Sequence, residues 1–163
     1  ATCILGLAEV DAEGNINVSK FGPRVVGPGG FINIATSANR IVFIGTMTVG
    51  AKSTVRDGKL VILQEGKKKK FVNRVEQITF SGTYARKVGK PILYVTERAV
   101  FSLEADGLTL IEVAPGLDVE KDIISAMEFR PRISPALKEM PGELFAPHWG
   151  KLREIMEKNA SGE

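Results

Sequence analysis

The sequence predicts an α/β fold built on a mixed sheet. Two continuous apolar runs, IVFIGTM at 41–47 and PILYVTE at 91–97, are rich in β-branched residues and of strand length. Two further runs, VRDGKLVIL at 55–63 and AVFSLEADGLTLIEVA at 99–114, place Asp-Gly pairs between apolar arms, as hairpins do. Helical patterns lie between these segments, and that mixture is the α/β signature.

Taken in order, residues 2–10 read as a strand. DAEGN at 11–15 is a turn, because Asp, Gly and Asn supply the φ values and side-chain hydrogen bonds that turns need. NINVS at 15–19 alternates as a short strand. A glycine-rich bend covers 20–30, and FINIATSANR opens a helix over 30–39, its propensity weakened by Thr36 and Ser37. Residues 41–47 are expected to form a central strand buried on both faces. KKKK follows the first hairpin at 67–70, and VEQITF at 75–80 alternates. A short helix at 83–89 ends at Gly89, and 91–97 is the second buried strand. Asp118 is placed to cap a helix at 119–127, with Val119, Ile123, Ile124 and Met127 on one face. Residues 131–163 read as a proline-punctuated tail with a terminal helix at 147–158, set off from a main unit at 1–130.

The chain has 163 residues, one domain or part of one, with 44% hydrophobic and 25% charged residues. That balance supports a buried core and argues against disorder. It contains no apolar run of membrane-spanning length. The single Cys3 and single His148 make a metal centre or a Ser-His-Asp site improbable within the chain. Cys3 reads as a buried, inert thiol, and His148 as structural. The net charge of +3 suits an anionic ligand but is too small to argue for nucleic acid. The apolar start, ATCILGL, reads as a strand needing neighbours on both sides. It points to a downstream piece of something longer, or to one product of cleavage.

The stretch from Gly22 to Gly30 spends four glycines in nine residues before a helix. Two readings stand. It is a tight corner, or it is a place where a phosphate or thioester approaches bare backbone, with N–H groups converging at a helix start. The spacing is neither a dinucleotide fingerprint nor a P-loop. Arg24 either holds the bend or meets a phosphate. KKKK reads as a solvated face, and Glu97 with Arg98 as a local ion pair or brace at a strand end.

GLAEVDAEGNINVSKFGPRVVGPGGFINI (6–34), QITFSG (77–82), ILYVTERAVFSL (92–103) and GLTLIEVAPGLDVEKDI (107–123) resemble, in this order, the family I coenzyme A transferases. The resemblance covers nearly everything before the tail. It implies a three-layer α/β domain with a mainly parallel sheet, incomplete without upstream residues. It also implies transfer of coenzyme A (CoA) between a short-chain acyl-CoA and a carboxylate, through a glutamyl-CoA thioester. CoA would be a substrate, with no permanently bound cofactor and no metal.

In the family pattern the nucleophilic glutamate lies upstream of GLAEVD, outside this chain. Glu9, Glu97 and Glu112 do not stand in its motif, so no catalytic residue is assigned here. Glu9 reads as an acceptor at a strand end. On the CoA side, the resemblance carries over Val26, Gly29 and Gly30 in the bend, and Lys52 in TVGAKST. For Lys52 a solvated loop lysine is the plainer alternative. The implied partners are acyl-CoA and carboxylate substrates, the upstream part of the enzyme and further copies in an oligomer, in the cytoplasm, without nucleic acid or membrane. A competing reading is a non-catalytic module that holds an anionic polymer with the basic run and the bend.

Overall fold

The computed structural model describes residues 1–161. Strand β1 (Thr2–Gly6) is followed by two small hairpins, β2 (Glu9–Val10) with β3 (Ile16–Asn17), and β4 (Lys20–Phe21) with β5 (Arg24–Val25). Helix α1 (Phe31–Ser37) leads into β6 (Arg40–Ile44). Next come β7 (Thr48–Val49), the hairpin β8 (Lys52–Arg56) with β9 (Lys59–Gln64), and β10 (Lys68–Lys69). Helix α2 (Gly82–Lys87) precedes β11 (Ile92–Val95), β12 (Ala99–Glu104) and β13 (Gly107–Val113). Strand β14 (Arg132–Glu139) and helix α3 (Leu152–Ser161) complete the described chain.

One six-stranded sheet organises these elements, in the order β1-β6-β11-β12-β13-β14. The pairs β1–β6, β6–β11 and β13–β14 are parallel, while β11–β12 and β12–β13 are antiparallel hairpin pairings. The sheet is therefore mixed and mainly parallel, as the resemblance implies. Strand β14 comes from the proline-punctuated segment. Pro135 is tolerated there because β14 is an edge strand with an irregular register.

The two faces of the sheet differ. On one, Ile41, Phe43, Tyr94, Phe101 and Leu110 are fully buried against Ala35 of α1, Ala85 of α2, Ile16, Phe71 and Ile123. Phe43 is the aromatic centre, with ring centroids of Phe31, Phe80 and Tyr94 at 5.9, 5.1 and 5.5 Å. The second face carries a smaller cluster, Leu60, Val100, Ala114, Met140 and Phe145, over β12 and β13. Toward β1 and β6 that face is open: Ile4 is 65% and Ile44 46% exposed. The 41–47 run is thus buried on one face only. Cys3 is half-buried beside the main core rather than fully enclosed.

Several local expectations shift. The 2–10 strand breaks at Leu7 and Ala8, because Glu9 and Val10 turn away to pair with Asn17 and Ile16. VEQITF is irregular, joined to Ile16 by a single bridge at Phe80. Asp118 caps as expected, accepting from the Lys121 N–H at 2.7 Å, but 119–127 winds as a wide π turn and then a 3-10 turn. The terminal helix starts at Leu152, well after Pro147.

The DAEGN turn locks onto the sheet through the buried Tyr94 hydroxyl, which donates to the Gly14 carbonyl at 2.6 Å. Burial, and then the nearby Asp11 carboxylate, push the Tyr94 phenol far up, so it stays a neutral donor. Gly82 packs directly under the same turn. A Cβ there would meet the Glu13 carbonyl oxygen and stand 2.6 Å from the Gly14 carbonyl carbon, both backbone atoms that cannot rotate away. Gly82→Ala is expected to cost about 1–3 kcal/mol through this clash. Gly142→Ala, where a Cβ meets nothing within 4 Å, should stay near wild type. Thermal melts followed by circular dichroism separate the two.

Candidate functional site

Strands β1, β6 and β11 run parallel and end side by side, with Gly6, Ile44 and Val95 in register. In open α/β sheets the crevice outside the carboxyl ends of such strands is where ligands bind. Helix α1 brings the glycine bend to that side. Its C-terminal end returns to the amino end of β1, where Asn39 and Arg40 donate to the Ala1 carbonyl at 2.9 and 3.3 Å. Its first turn, preceded by residues 26–30, therefore lies toward the carboxyl ends.

The structure divides the four glycines by task. Gly22 (φ +59°) closes the β4–β5 hairpin with Pro23 and donates to Glu76 at 2.7 Å. Gly29 (φ +56°) makes the corner into α1, a conformation that strains residues with a Cβ. Gly30 has an ordinary φ of −81°. A Cβ at Gly27 would meet nothing within 4 Å, and one at Gly30 only the tip of Ile34 at 3.3 Å. Neither bend conformation nor internal packing demands glycine at 27 or 30. Val26 is half-buried, its N–H held by the Ser19 carbonyl at 2.8 Å. Lys52 opens the exposed hairpin strand β8 opposite Gln64, and no hydrogen bond or ion pair joins it to the bend. Arg24 is exposed on β5.

The carboxyl-end loops are held by Arg98, whose side chain is fully buried. Its guanidinium donates to both Glu65 oxygens at 2.7 and 2.9 Å, to Glu97 at 3.2 Å and to the Asp122 carbonyl at 3.1 Å. Glu97 in turn accepts the Met47 N–H at 2.9 Å, fixing the loop after β6. Glu65 also accepts from Thr48 Oγ1 at 2.5 Å and the Gly66 N–H at 2.7 Å. The brace reading of Glu97 and Arg98 holds, and Glu65 is the partner that sequence reasoning missed. Thirty-three residues separate it from Arg98, so no local spacing reveals it.

KKKK is not a uniformly solvated face. Lys68 pairs with the buried Glu9 at 3.1 Å and lies over the Phe21 ring, and Lys69 donates to the Met127 carbonyl at 2.9 Å. Lys70 is buried, and the two apolar residues that follow it were the available sign of an inward turn. Glu9 is an acceptor at a strand end, as read, also taking the Asn17 amide at 2.8 Å.

No family model matches the chain. Among curated proteins it is 51% identical, over 160 residues, to the caffeate CoA-transferase of Acetobacterium woodii, covering 95% of this chain and 30% of that protein. To the acetate CoA-transferase YdiF of Escherichia coli K12 it is also 51% identical, over 144 residues, 88% of this chain and 27% of the relative. The crystal structure of the YdiF acyl-CoA transferase of E. coli O157:H7, in thioester complex with CoA, superposes with a TM-score of 0.87 at 50% identity, over 90% of this chain and 29% of that one. The chain belongs to the family I coenzyme A transferases. It spans under a third of the length of the CoA-transferases it matches.

Removing the Arg98 guanidinium should be severe. Arg98→Met strands Glu65 and Glu97, and a loss toward the lower end of about 3–5 kcal/mol is expected because Glu65 keeps contact with solvent. Arg98 also sets an acid limit. Its hydrogen bonds pull the Glu65 carboxyl from its ordinary 4.5 to about 2. The folded pKa is the lower one, so this contribution is whole above pH 4.5 and is lost as pH falls toward about 2. Melts across that window should show a shallower pH dependence for Glu65→Gln than for wild type.

Proposed function

We propose that this chain is the part of a CoA-transferase that receives CoA, and that the enzyme moves CoA between a short-chain acyl-CoA and a carboxylate. The observation that carries the reading is the bare backbone at Gly27 and Gly30, on the carboxyl-end side of the sheet, in a chain half identical to an enzyme seen as a CoA thioester complex. An upstream glutamate attacks the acyl-CoA carbonyl, giving an acyl-glutamyl anhydride and free CoA thiolate. The thiolate then attacks the glutamyl carbonyl, forming the glutamyl-CoA thioester and releasing the first acid. The incoming carboxylate reverses both steps. Val26, Gly29 and Gly30 line the path of the cofactor, and Lys52 meets one of its phosphates.

The open sheet face at Ile4 and Ile44 is where apolar cover from the upstream part of the enzyme would fit. The complete enzyme would be an oligomer working in the cytoplasm. Among the described residues no helix is long and apolar enough to cross a membrane. The chain is as similar to an enzyme named for caffeate as to one named for acetate. The polymer-binding alternative loses its main support, since Lys68 and Lys69 have partners within the chain and Lys70 is buried.

In the full-length enzyme, Gly30→Val should leave stability within about 1 kcal/mol, the scale of a changed helix cap. It should raise KM for acyl-CoA or lower kcat, by a hundredfold or more if an oriented N–H contact worth roughly 3 kcal/mol is lost. A stable variant with wild-type kcat/KM would refute the CoA reading of the bend. Lys52→Ala should weaken CoA binding by an amount that shrinks as salt rises. Hydroxylamine should inactivate the enzyme only after exposure to acyl-CoA, and peptide mapping should place the modified glutamate outside residues 1–163.

A further inference from the structure

Lys70 is a lysine that this fold has buried without giving its amine a partner. It is 9% exposed, yet no hydrogen bond or ion pair ends on its nitrogen among the described residues. No fully buried side-chain nitrogen or oxygen among them lacks a partner, so the Lys70 amine keeps some contact with solvent although the residue as a whole is buried. The backbone on either side is tied down. The Lys70 carbonyl accepts the Val10 N–H at 2.9 Å, and Phe71 is fully buried in the core.

The amine stands at the carboxyl ends of β1 and β6. A Cβ on Gly45, the first residue after β6, would lie 2.9 Å from the Lys70 nitrogen and 3.0 Å from the Leu7 carbonyl oxygen, just after β1. Glycine at 45 therefore leaves room for the amine. The Glu97 carboxylate, whose charge acts on this amine, is already engaged by the Met47 N–H and the Arg98 guanidinium. Burial pulls the Lys70 pKa below the ordinary lysine value, with Glu97 opposing the shift. The amine thus stands at the carboxyl-end edge of the sheet with no hydrogen bond made by its nitrogen among the described residues.

We propose that Lys70 binds the carboxylate of the acid substrate. The proposal rests on the CoA-transferase reading, and it specifies what this portion contributes to acid recognition. A portion equally similar to caffeate and acetate enzymes is suited to hold what those acids share, the carboxylate, while their differing bodies are read elsewhere. One ammonium with a carboxylate beside it matches a monoanion better than a phosphate, which calls for several donors.

The test uses the full-length enzyme with acetate as the probe. Lys70→Met keeps the length of the stem and removes the charge. KM for acetate should rise about 10-fold or more, KM for acyl-CoA should stay within about twofold, and Lys70→Arg should restore part of the acetate affinity. Independently of turnover, [13C]acetate should broaden on wild-type enzyme and stay sharp with Lys70→Met. In wild type the Lys70 side-chain resonance should shift on titration with acetate, a measurement that stands even if the Met variant fails to fold. Unchanged acetate KM and broadening in Lys70→Met, with or without lost stability, would make Lys70 a structural group and overturn the proposal. A rise in acyl-CoA KM alone would assign the amine to a CoA phosphate and overturn it too. If wild-type enzyme binds acetate at Lys70 but transfers no CoA, the transferase reading fails while the carboxylate site stands.

Discussion

The buried Arg98 guanidinium is the constraint on which the rest of the candidate site depends. A cation taken wholly out of water is tolerable only with its donors satisfied by anions or carbonyls. Arg98 meets that condition by drawing together Glu65, Glu97 and the Asp122 carbonyl. Those partners belong to the segment after β9, the turn after β11 and the wide turn at 119–123. Through Glu97 and the Met47 N–H the loop after β6 is added. Loops at the carboxyl ends of parallel strands would otherwise be the least determined part of the fold. Here one side chain ties three segments directly and the loop after β6 through Glu97, whose charge also reaches the Lys70 amine.

The asymmetry of the sheet has a related physical origin. One face buries a continuous cluster from Leu7 to Met127, with Phe43 at the centre of an aromatic group. The other is filled only where the β8–β9 hairpin and residues 140–145 reach it. Apolar area left exposed at Ile4 and Ile44 represents hydrophobic free energy not realised within the chain, at about 25 cal/mol per Å². That is the arrangement expected where a sheet is completed by other residues, and it agrees with a chain spanning under a third of the length of its CoA-transferase relatives.

The glycines show how a pattern that looks single resolves into separate physical causes. Gly22 and Gly29 sit at positive φ and serve turns. Gly27 and Gly30 sit where a side chain would be accommodated by the chain itself. A glycine that neither conformation nor internal packing explains is a better marker of close approach from outside than a glycine in a turn. The corner reading of the bend is therefore correct for Gly22 and Gly29, while at Gly27 and Gly30 neither turn geometry nor internal packing accounts for glycine.

Sequence alone was enough for the fold class, the two hairpins, the Asp118 cap and the family. These depend on local patterns: β-branched runs, Asp-Gly turns and long ordered motifs. Asp57 and Gly58, for example, both adopt positive φ between β8 and β9, as their identities predict. It could also name the brace at Glu97 and Arg98, because those two are neighbours. Only the tertiary structure decided that Glu65 completes the brace, that KKKK divides into differently partnered lysines, and that the 41–47 strand is covered on one face. Each of these depends on contacts between residues far apart in the chain. Lys68, Lys69 and Lys70 are chemically identical and adjacent, and the one local sign that separates them is the apolar pair Phe71 and Val72 after Lys70. What separates them is where β10 lies against β7 and Val10, which sends one amine to Glu9, one to the Met127 carbonyl and one to the ends of β1 and β6.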